Sequence, residues 1–392
     1  MKQISNNESS HRVFYAASGQ KPPIHTTLII CGLFSALLAC DSPANRVIPR
    51  ALDASQTEDA ANLSDGSMNA DASVSPMDAE TTDARVNPDA DIVDSGQVDS
   101  GPPPTQIRPD QAGNDTWTRQ EETVQRDSRR IPIVSYIPDG NATAGLVVFV
   151  PGFQLDSRRY QPLVEHLASH GFIVMRTDPP DPLLSVSHVE MADDIEAVLD
   201  WALDPQRSFN SRIDASKIAT MGHSLGGKVA TMVAYQDSRV SALLGLDPVN
   251  GGHPQNGFTT DLPDILPTQV SGLRIPIGLM GETTDDGTSG GGQACAPADG
   301  NFTRFYDASQ ASSWTAEWDI AGADHMDFVD DTSLCLSCGF CQNGSANKED
   351  VLLIVRTLSA AFFRFHFEAD TSMLPWLTGS KLNSIVSHRS RP

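Results

Sequence analysis

The run Met221-Gly222-His223-Ser224-Leu225-Gly226-Gly227 is the part of the chain best suited to chemistry. It fits the pattern G-x-S-x-G and lies between a strand-like segment, Lys217–Met221, and a helical pattern, Gly226–Tyr235. So tight a strand-to-helix turn strains its central residue, and flanking glycines let it close without a clash. Ser224 Oγ is thereby lifted off the sheet, with the positive end of the following helix behind it. A serine hydroxyl becomes a nucleophile only with a base for its proton, an acid to orient that base and donors for the oxyanion. Leu225 N–H is one expected donor. The second is expected from Pro151-Gly152-Phe153-Gln154, directly after the apolar run Leu146–Val150. There Gly152 permits close backbone approach and Phe153 supplies the N–H, whereas Pro151 has none.

Behind such a serine the acid comes next in the chain and the histidine last. The histidines after Ser224 are His253, His325, His366 and His388. His325 falls in a loop between the last expected central strand and the last helix, and is the expected base. His253 follows the nucleophile too closely, His366 sits on a helical pattern and His388 lies near the end. The acid has two candidate places. Asp247 ends the strand after the nucleophile helix, while Glu282, Asp285 and Asp286 follow the next strand. Spacing leaves both open, since a carboxylate at either strand end could reach the imidazole.

These residues need a scaffold, and the surrounding pattern supplies one. Strands are expected at Arg130–Ile137, Leu146–Val150, Phe172–Met175, Lys217–Met221, Ala242–Leu246, Ile275–Met280 and Trp314–Ile320. The run LVVFV is continuous and β-branched, as in a strand buried on both faces. Helical patterns cover Tyr160–Ser169, Ser187–Leu203, Gly226–Tyr235 and Asp350–Phe367. Alternating strands and helices predict an α/β domain with a doubly wound, mostly parallel sheet and helices on both faces. With the serine turn, this is the α/β-hydrolase fold. The domain is expected over 116–370, with 371–392 as a C-terminal tail. Phe153, Gln154 and the loop Asp178–Leu184 are expected to line the cleft, on loop position.

The N-terminal part has another character. Lys2, Arg12 and Lys21 precede the apolar run Thr26–Ala39, too short to span a membrane comfortably, and Leu37-Leu38-Ala39-Cys40 resembles a bacterial lipobox. Residues 1–40 are therefore expected to be an export signal, with Cys40 lipidated and the protein anchored to the bacterial cell envelope. From Asp41 to Asp115 there are 15 acids against 4 arginines and no aromatic residue. Such a segment buries too little to offset its chain entropy, so 41–115 is expected to be a disordered tether. The net charge of -23, with no basic stripe, argues against a nucleic-acid partner.

Cys295, Cys335, Cys338 and Cys341 remain in the folded part. C-x-x-C-x-x-C resembles a metal or iron–sulfur ligand run, but in an exported chain an even count reads as two disulfides. Three pairings are open. No metal and no cofactor is expected.

Taken together, GHSLGGKVAT, the run ALLGLDPVNGG (Ala242 to Gly252), Cys295-Ala296-Pro297, AGADHMDFVDD (Ala321 to Asp331) and the three cysteines after it resemble the chlorophyllase family. VPGF and HLASHGFIV add to the resemblance, which spans about 145–367. It implies an α/β-hydrolase with Ser224 as nucleophile, Asp247 as acid and His325 as base, tipping the choice of acid toward Asp247. The chain departs from the family at Leu225, where arginine is usual, and at Pro151, where histidine is usual. Both border the nucleophile, so the resemblance carries the hydrolase chemistry further than the porphyrin-ester substrate. Platelet-activating-factor acetylhydrolases and polyester-cleaving hydrolases are wider relatives. The expectation is a serine carboxylic-ester hydrolase acting through an acyl-enzyme on a small-molecule or lipid-like ester. Two rivals are a catalytically silent lipoprotein that binds through this scaffold and a thiolate metal or redox protein.

Overall fold

The computed structural model describes residues 107–392, apart from 182–185, 288–292 and 336. The export signal, Cys40, most of the tether and 182–184 of the expected cleft loop lie outside the described residues.

Among the described residues nine strands form one sheet: β1 (Trp117–Arg126), β2 (Arg129–Pro138), β3 (Ala144–Val150), β4 (Ile173–Thr177), β5 (Ile213–His223), β6 (Ala242–Leu246), β7 (Ile277–Glu282), β8 (Thr315–Ile320) and β9 (Val386–Arg391). Their order is β1-β2-β4-β3-β5-β6-β7-β8-β9. The strands from β4 through β8 run parallel. β1, β2 and β9 are antiparallel to their neighbours. The helices are α1 (Gln161–Ser169), α2 (His188–Ala202), α3 (Leu225–Gln236), α4 (Thr268–Gly272), α5 (Phe302–Ala308), α6 (Lys348–Phe367) and α7 (Leu374–Thr378).

β3 shows why its sequence reads as a continuous apolar run. All of its residues are buried. Leu146, Val148 and Val150 feed a core shared with α2, α3 and α5. Val147 and Phe149 point the other way, into a core with α1 and α6. The period-2 alternation of strand side chains thus supplies two cores, one per face. The sheet is doubly wound, as its sequence predicts.

The strand order also dictates where a site can form. The chain steps outward from β3 to β4, then returns past β3 to β5, so the loops after β3 and β5 leave neighbouring strands in opposite directions. Such a reversal opens a crevice at the carboxyl ends of the strands. Register aligns those ends: Val150 pairs with Gly222, His223 with Leu246 and Leu246 with Met280.

Two boundaries differ from the sequence reading. Residues 107–115, counted there with the tether, dock on α1. His166 Nε2–H donates to the Pro109 carbonyl (2.9 Å), His170 Nε2–H to that of Gln111 (3.0 Å), and Gly113 N–H to Ser169 Oγ (2.8 Å). The segment read as a C-terminal tail contributes α7 and β9, which pairs with β8 along its length. β9, Val-Ser-His-Arg-Ser-Arg, has no apolar alternation because polar contacts hold it beyond its backbone pairing. Arg389 makes a bidentate pair with Glu317 (2.8 and 2.9 Å), and Arg391 lies 4.0 Å over the Tyr306 ring. β1 lacks apolar alternation for a related reason: it is an edge strand in which Val124 alone is buried. Among the described residues no helix is long and apolar enough to cross a membrane.

Candidate active site

Ser224 is the single residue between β5 and α3, and its backbone sits at φ 56° and ψ −123°. Such a conformation costs a residue with a Cβ about 1–3 kcal/mol and persists only where its surroundings impose it. Here they do. Ser224 N–H donates to the Leu246 carbonyl (3.0 Å), while its own carbonyl accepts from the N–H groups of Gly227 (3.0 Å) and Val249 (3.1 Å). The flanking glycines leave no choice of residue. A Cβ on Gly222 would lie 2.3 Å from the Gly226 carbonyl carbon, and one on Gly226 2.2 Å from the Val150 carbonyl oxygen. The serine alone in this turn is partly exposed, its neighbours being buried.

His325 reaches the serine from a residue 101 positions away. Ser224 Oγ–H donates to His325 Nε2 across 2.9 Å. The imidazole is presented by a short 3-10 turn, His325–Phe328, which Asp324 caps: its Oδ1 accepts from Met326 N–H (2.8 Å) and its Oδ2 from Gly344 N–H (2.6 Å). His325 Nδ1–H in turn donates to Asp247 Oδ2 at 2.5 Å. Asp247 is the first residue after β6 and bends there at φ 43°, while its N–H remains paired with the Met280 carbonyl (2.8 Å). That bend turns a fully buried carboxylate toward the imidazole.

The alternative acids do something else. Glu282 ends β7, and its Oε2 accepts from the N–H groups of Thr284 and Asp285. Asp285 Oδ1 accepts from Cys295 N–H (3.0 Å) and Gln342 N–H (3.1 Å). Asp286 accepts Ala298 N–H at its carbonyl (2.9 Å). Among the described residues, none of the three hydrogen-bonds His325.

So many acids in a dry site shape its protonation. Burial pushes the Asp247 carboxyl well above the usual range, and the charges of Asp285, Asp319 and Asp324 add to this. Burial raises Glu282 to about 8, with the Asp247 charge contributing. Burial lowers His325 below an ordinary histidine, against the opposing pull of Asp285, Glu282 and Asp324. Burial thus favours the neutral imidazole, the form that can accept a proton.

Phe153 tips a turn closed by the Leu155 N–H to the Gly152 carbonyl (3.0 Å), with Gln154 at φ 58°. The N–H groups of Phe153 and Leu225 meet no acceptor among the described residues, and Leu225 N–H opens α3, where the helix dipole favours an anion. The Phe153 side chain is 47 % exposed. Asp178 anchors this loop, taking Ser157 N–H and Oγ–H (2.7 Å each).

The cysteines pair as Cys295–Cys341 and Cys335–Cys338. The first bridge ties the loop after β7 to the one after the His325 turn, around the Asp285 carboxylate. The second is local.

Three residues at the site went unread in the sequence. Tyr160 and His223 are buried polar groups behind the serine. Lys228, one turn into α3 and also buried, donates to the Gly251 carbonyl (2.7 Å) and so holds the loop that leaves Asp247. His223 was legible in principle, since the residue before the nucleophile of a G-x-S-x-G turn must lie beside it.

The serine turn, set at the carboxyl edge of a doubly wound, mostly parallel sheet, defines an α/β-hydrolase. The sequence profile of the chlorophyllase family matches residues 111–386, and the chain belongs to that family. It is 30% identical to the chloroplastic chlorophyllase-1 of Citrus sinensis over 248 residues, 61% of this chain and 73% of that protein. It is 28% identical to chlorophyllase-1 of Arabidopsis thaliana over 263 residues, 62% of this chain and 79% of that protein. It is also 29% identical to cutinase 2 of Thermobifida cellulosilytica over 192 residues, 49% of this chain and 64% of that protein.

Proposed function

We propose that this chain is a serine carboxylic-ester hydrolase working through an acyl-enzyme, with Ser224, His325 and Asp247 as its triad. One observation carries the reading: the hydrogen-bonded line from Ser224 Oγ through His325 to Asp247, on a serine held at φ 56°. Ser224 Oγ attacks the ester carbonyl as its proton passes to His325 Nε2. Asp247 keeps the other ring nitrogen protonated and stabilises the imidazolium that forms. The N–H groups of Phe153 and Leu225 receive the oxyanion. His325 then protonates the leaving alkoxide, and an acyl-Ser224 ester remains. Water, deprotonated by the same histidine, releases the acid and restores the hydroxyl. The mechanism calls on no cofactor.

An apolar or lipid-like ester is the substrate class the chain favours. The half-exposed Phe153 at the tip of the oxyanion loop supports this, as does kinship with both chlorophyllases and cutinases. Export and lipid anchoring at Cys40 complete the proposal, on the sequence of residues 26–40.

The test is hydrolysis of p-nitrophenyl esters of increasing chain length, with pheophytin and chlorophyll beside them, by wild type and Ser224→Ala. Activity that rises with chain length and disappears in Ser224→Ala is expected. Wild-type rates no higher than those of Ser224→Ala on every ester would leave the silent binding protein as the better reading. For the anchor, Cys40→Ser is expected to release the protein from the membrane fraction.

A further inference from the structure

Behind the nucleophile runs a buried polar chain that the ester-cleaving steps do not use. Gly152 N–H donates to the Tyr160 phenol oxygen (3.3 Å). Tyr160 O–H donates to His223 Nδ1 (2.7 Å), and His223 Nε2–H donates to the His325 carbonyl (3.0 Å). Tyr160 and His223 are both fully buried.

Only one arrangement of protons satisfies every member. A backbone N–H can only donate and a carbonyl can only accept. The phenol oxygen therefore accepts from Gly152 and passes its hydrogen to Nδ1, which leaves the His223 proton on Nε2. A charged imidazole would put a second N–H against the phenol in a site without solvent. Burial, and next the charge His325 acquires, hold His223 well below the ordinary histidine range, consistent with the neutral form.

The ends of this chain belong to the two halves of the proposed machinery. Gly152 adjoins Phe153, whose N–H faces the oxyanion, and His325 is the base. The parts fit closely. A Cβ on Gly152 would come 3.0 Å from His223 Nδ1 and 3.4 Å from Ser224 Cβ, so the oxyanion loop is seated on the serine turn itself. The His223 ring lies 4.6 Å from that of His325 and stacks on Phe328 at 6.0 Å. Among the described residues, this path through Tyr160 and His223 joins the oxyanion loop to the histidine turn by hydrogen bonds behind the serine.

We infer that Tyr160 and His223 are positioning residues, a neutral relay that fixes the Phe153 N–H and the His325 ring relative to one ester carbonyl. The inference rests on the ester-hydrolase reading and deepens it. A misplacement of about 1 Å in such a constellation costs on the order of 10²-fold in rate, and loss of one oxyanion donor about 10²- to 10³-fold. Because the relay touches no substrate, its loss falls on kcat and spares KM.

The test has two arms on the full chain. In the first, kcat and KM on p-nitrophenyl butyrate and the affinity of a boronic acid are measured for wild type, Tyr160→Phe, His223→Leu and His223→Gln. Phenylalanine preserves the ring that packs 4.7 Å from Phe149, and glutamine keeps one acceptor and one donor. Tyr160→Phe and His223→Leu are expected to lose about 10- to 100-fold in kcat and a similar factor in boronate affinity, with KM within about twofold. Glutamine is expected to recover part of the loss. Wild-type kcat in Tyr160→Phe would overturn the relay, and so would a loss confined to KM with boronate affinity intact. In the second arm, the nitrogen NMR spectrum of histidine-labelled wild type is expected to show His223 as the neutral Nε2–H form between about pH 6 and pH 8. An Nδ1–H form or an imidazolium there overturns the hydrogen-bond chain, without any substitution that could prevent folding. A wild type with no Ser224-dependent esterase activity sinks the ester-hydrolase reading, and the spectrum still decides the relay.

Discussion

The ends of β6 and β7 each present a buried carboxyl group near the same histidine, yet only one meets it. At β6 the strand stops at Leu246 and the next residue bends at φ 43°, aiming Asp247 at His325 Nδ1. At β7 the carboxyl belongs to the strand's last residue, and the turn that follows folds its own N–H groups back onto Glu282. Both groups are pushed upward by burial. What separates them is the donor. An imidazole N–H can become a cation as the reaction proceeds and so rewards a carboxylate, whereas two fixed backbone N–H groups cannot follow the chemistry. A buried carboxyl at a neighbouring strand end is thus not by itself a candidate acid, because it can be held as a neutral structural group.

Substitution at both ends gives the largest expected contrast. Asp247→Asn should lower kcat on the order of 10⁴-fold, by analogy with serine hydrolases that lose this acid. Glu282→Gln should stay within about threefold of wild type at neutral pH, since glutamine retains the acceptor for Thr284 and Asp285. Steady-state kinetics on one p-nitrophenyl ester decides it, and equal losses in the two variants would erase the distinction.

Stability against pH sharpens the contrast next. In the unfolded chain Glu282 ionises at its ordinary value, in the fold at about 8. The stability it contributes is therefore intact below the ordinary value and is lost as pH rises through about 8. Glutamine does not ionise, so Glu282→Gln should gain about 4 kcal/mol on wild type between about pH 5 and pH 9. Urea unfolding across that range measures it, and a difference that is flat with pH would mean that Glu282 is charged in the fold.

Of the two disulfides, Cys295–Cys341 bears on the β7 side. Cys295–Cys341 closes a sequence separation of 46 and holds the loops around Asp285, whereas Cys335–Cys338 closes one of 3. Replacing the first pair by serine should cost about 4 kcal/mol of unfolding free energy and the second about 2 kcal/mol, because the longer loop regains more entropy when opened. Equal losses would show that the longer bridge does not restrain the β7 loop.

The smallest effect concerns the base. Asp285 is the foremost charge raising His325 against burial. Asp285→Asn should move the acid limb of kcat/KM to lower pH, because the imidazolium loses a stabilising charge. A shift the other way would contradict this electrostatic account.

The elements that carry the chemistry were legible because they are local. The LVVFV of β3 and the glycines around Ser224 announce themselves through neighbouring residues. β9 did not, because Arg389 and Arg391 bind Glu317 and Tyr306 rather than filling a core, and such pairs leave no periodic trace. The docking of 107–115 on His166 and His170 is equally silent, being made through backbone carbonyls.

By itself the sequence determined a doubly wound α/β fold, a serine in a strained turn and a histidine in a late loop. Each follows from residue types within a few positions of one another. The choice of Asp247 over Glu282, Asp285 and Asp286 as the imidazole's partner was decided in three dimensions, as were the pairing of four cysteines and the chain from Gly152 through Tyr160 and His223 to His325. The groups that meet there are separated by up to 102 residues. Whether such groups touch depends on strand order, register and the bend of a single residue at a strand end, and none of these is written in the neighbourhood of either partner.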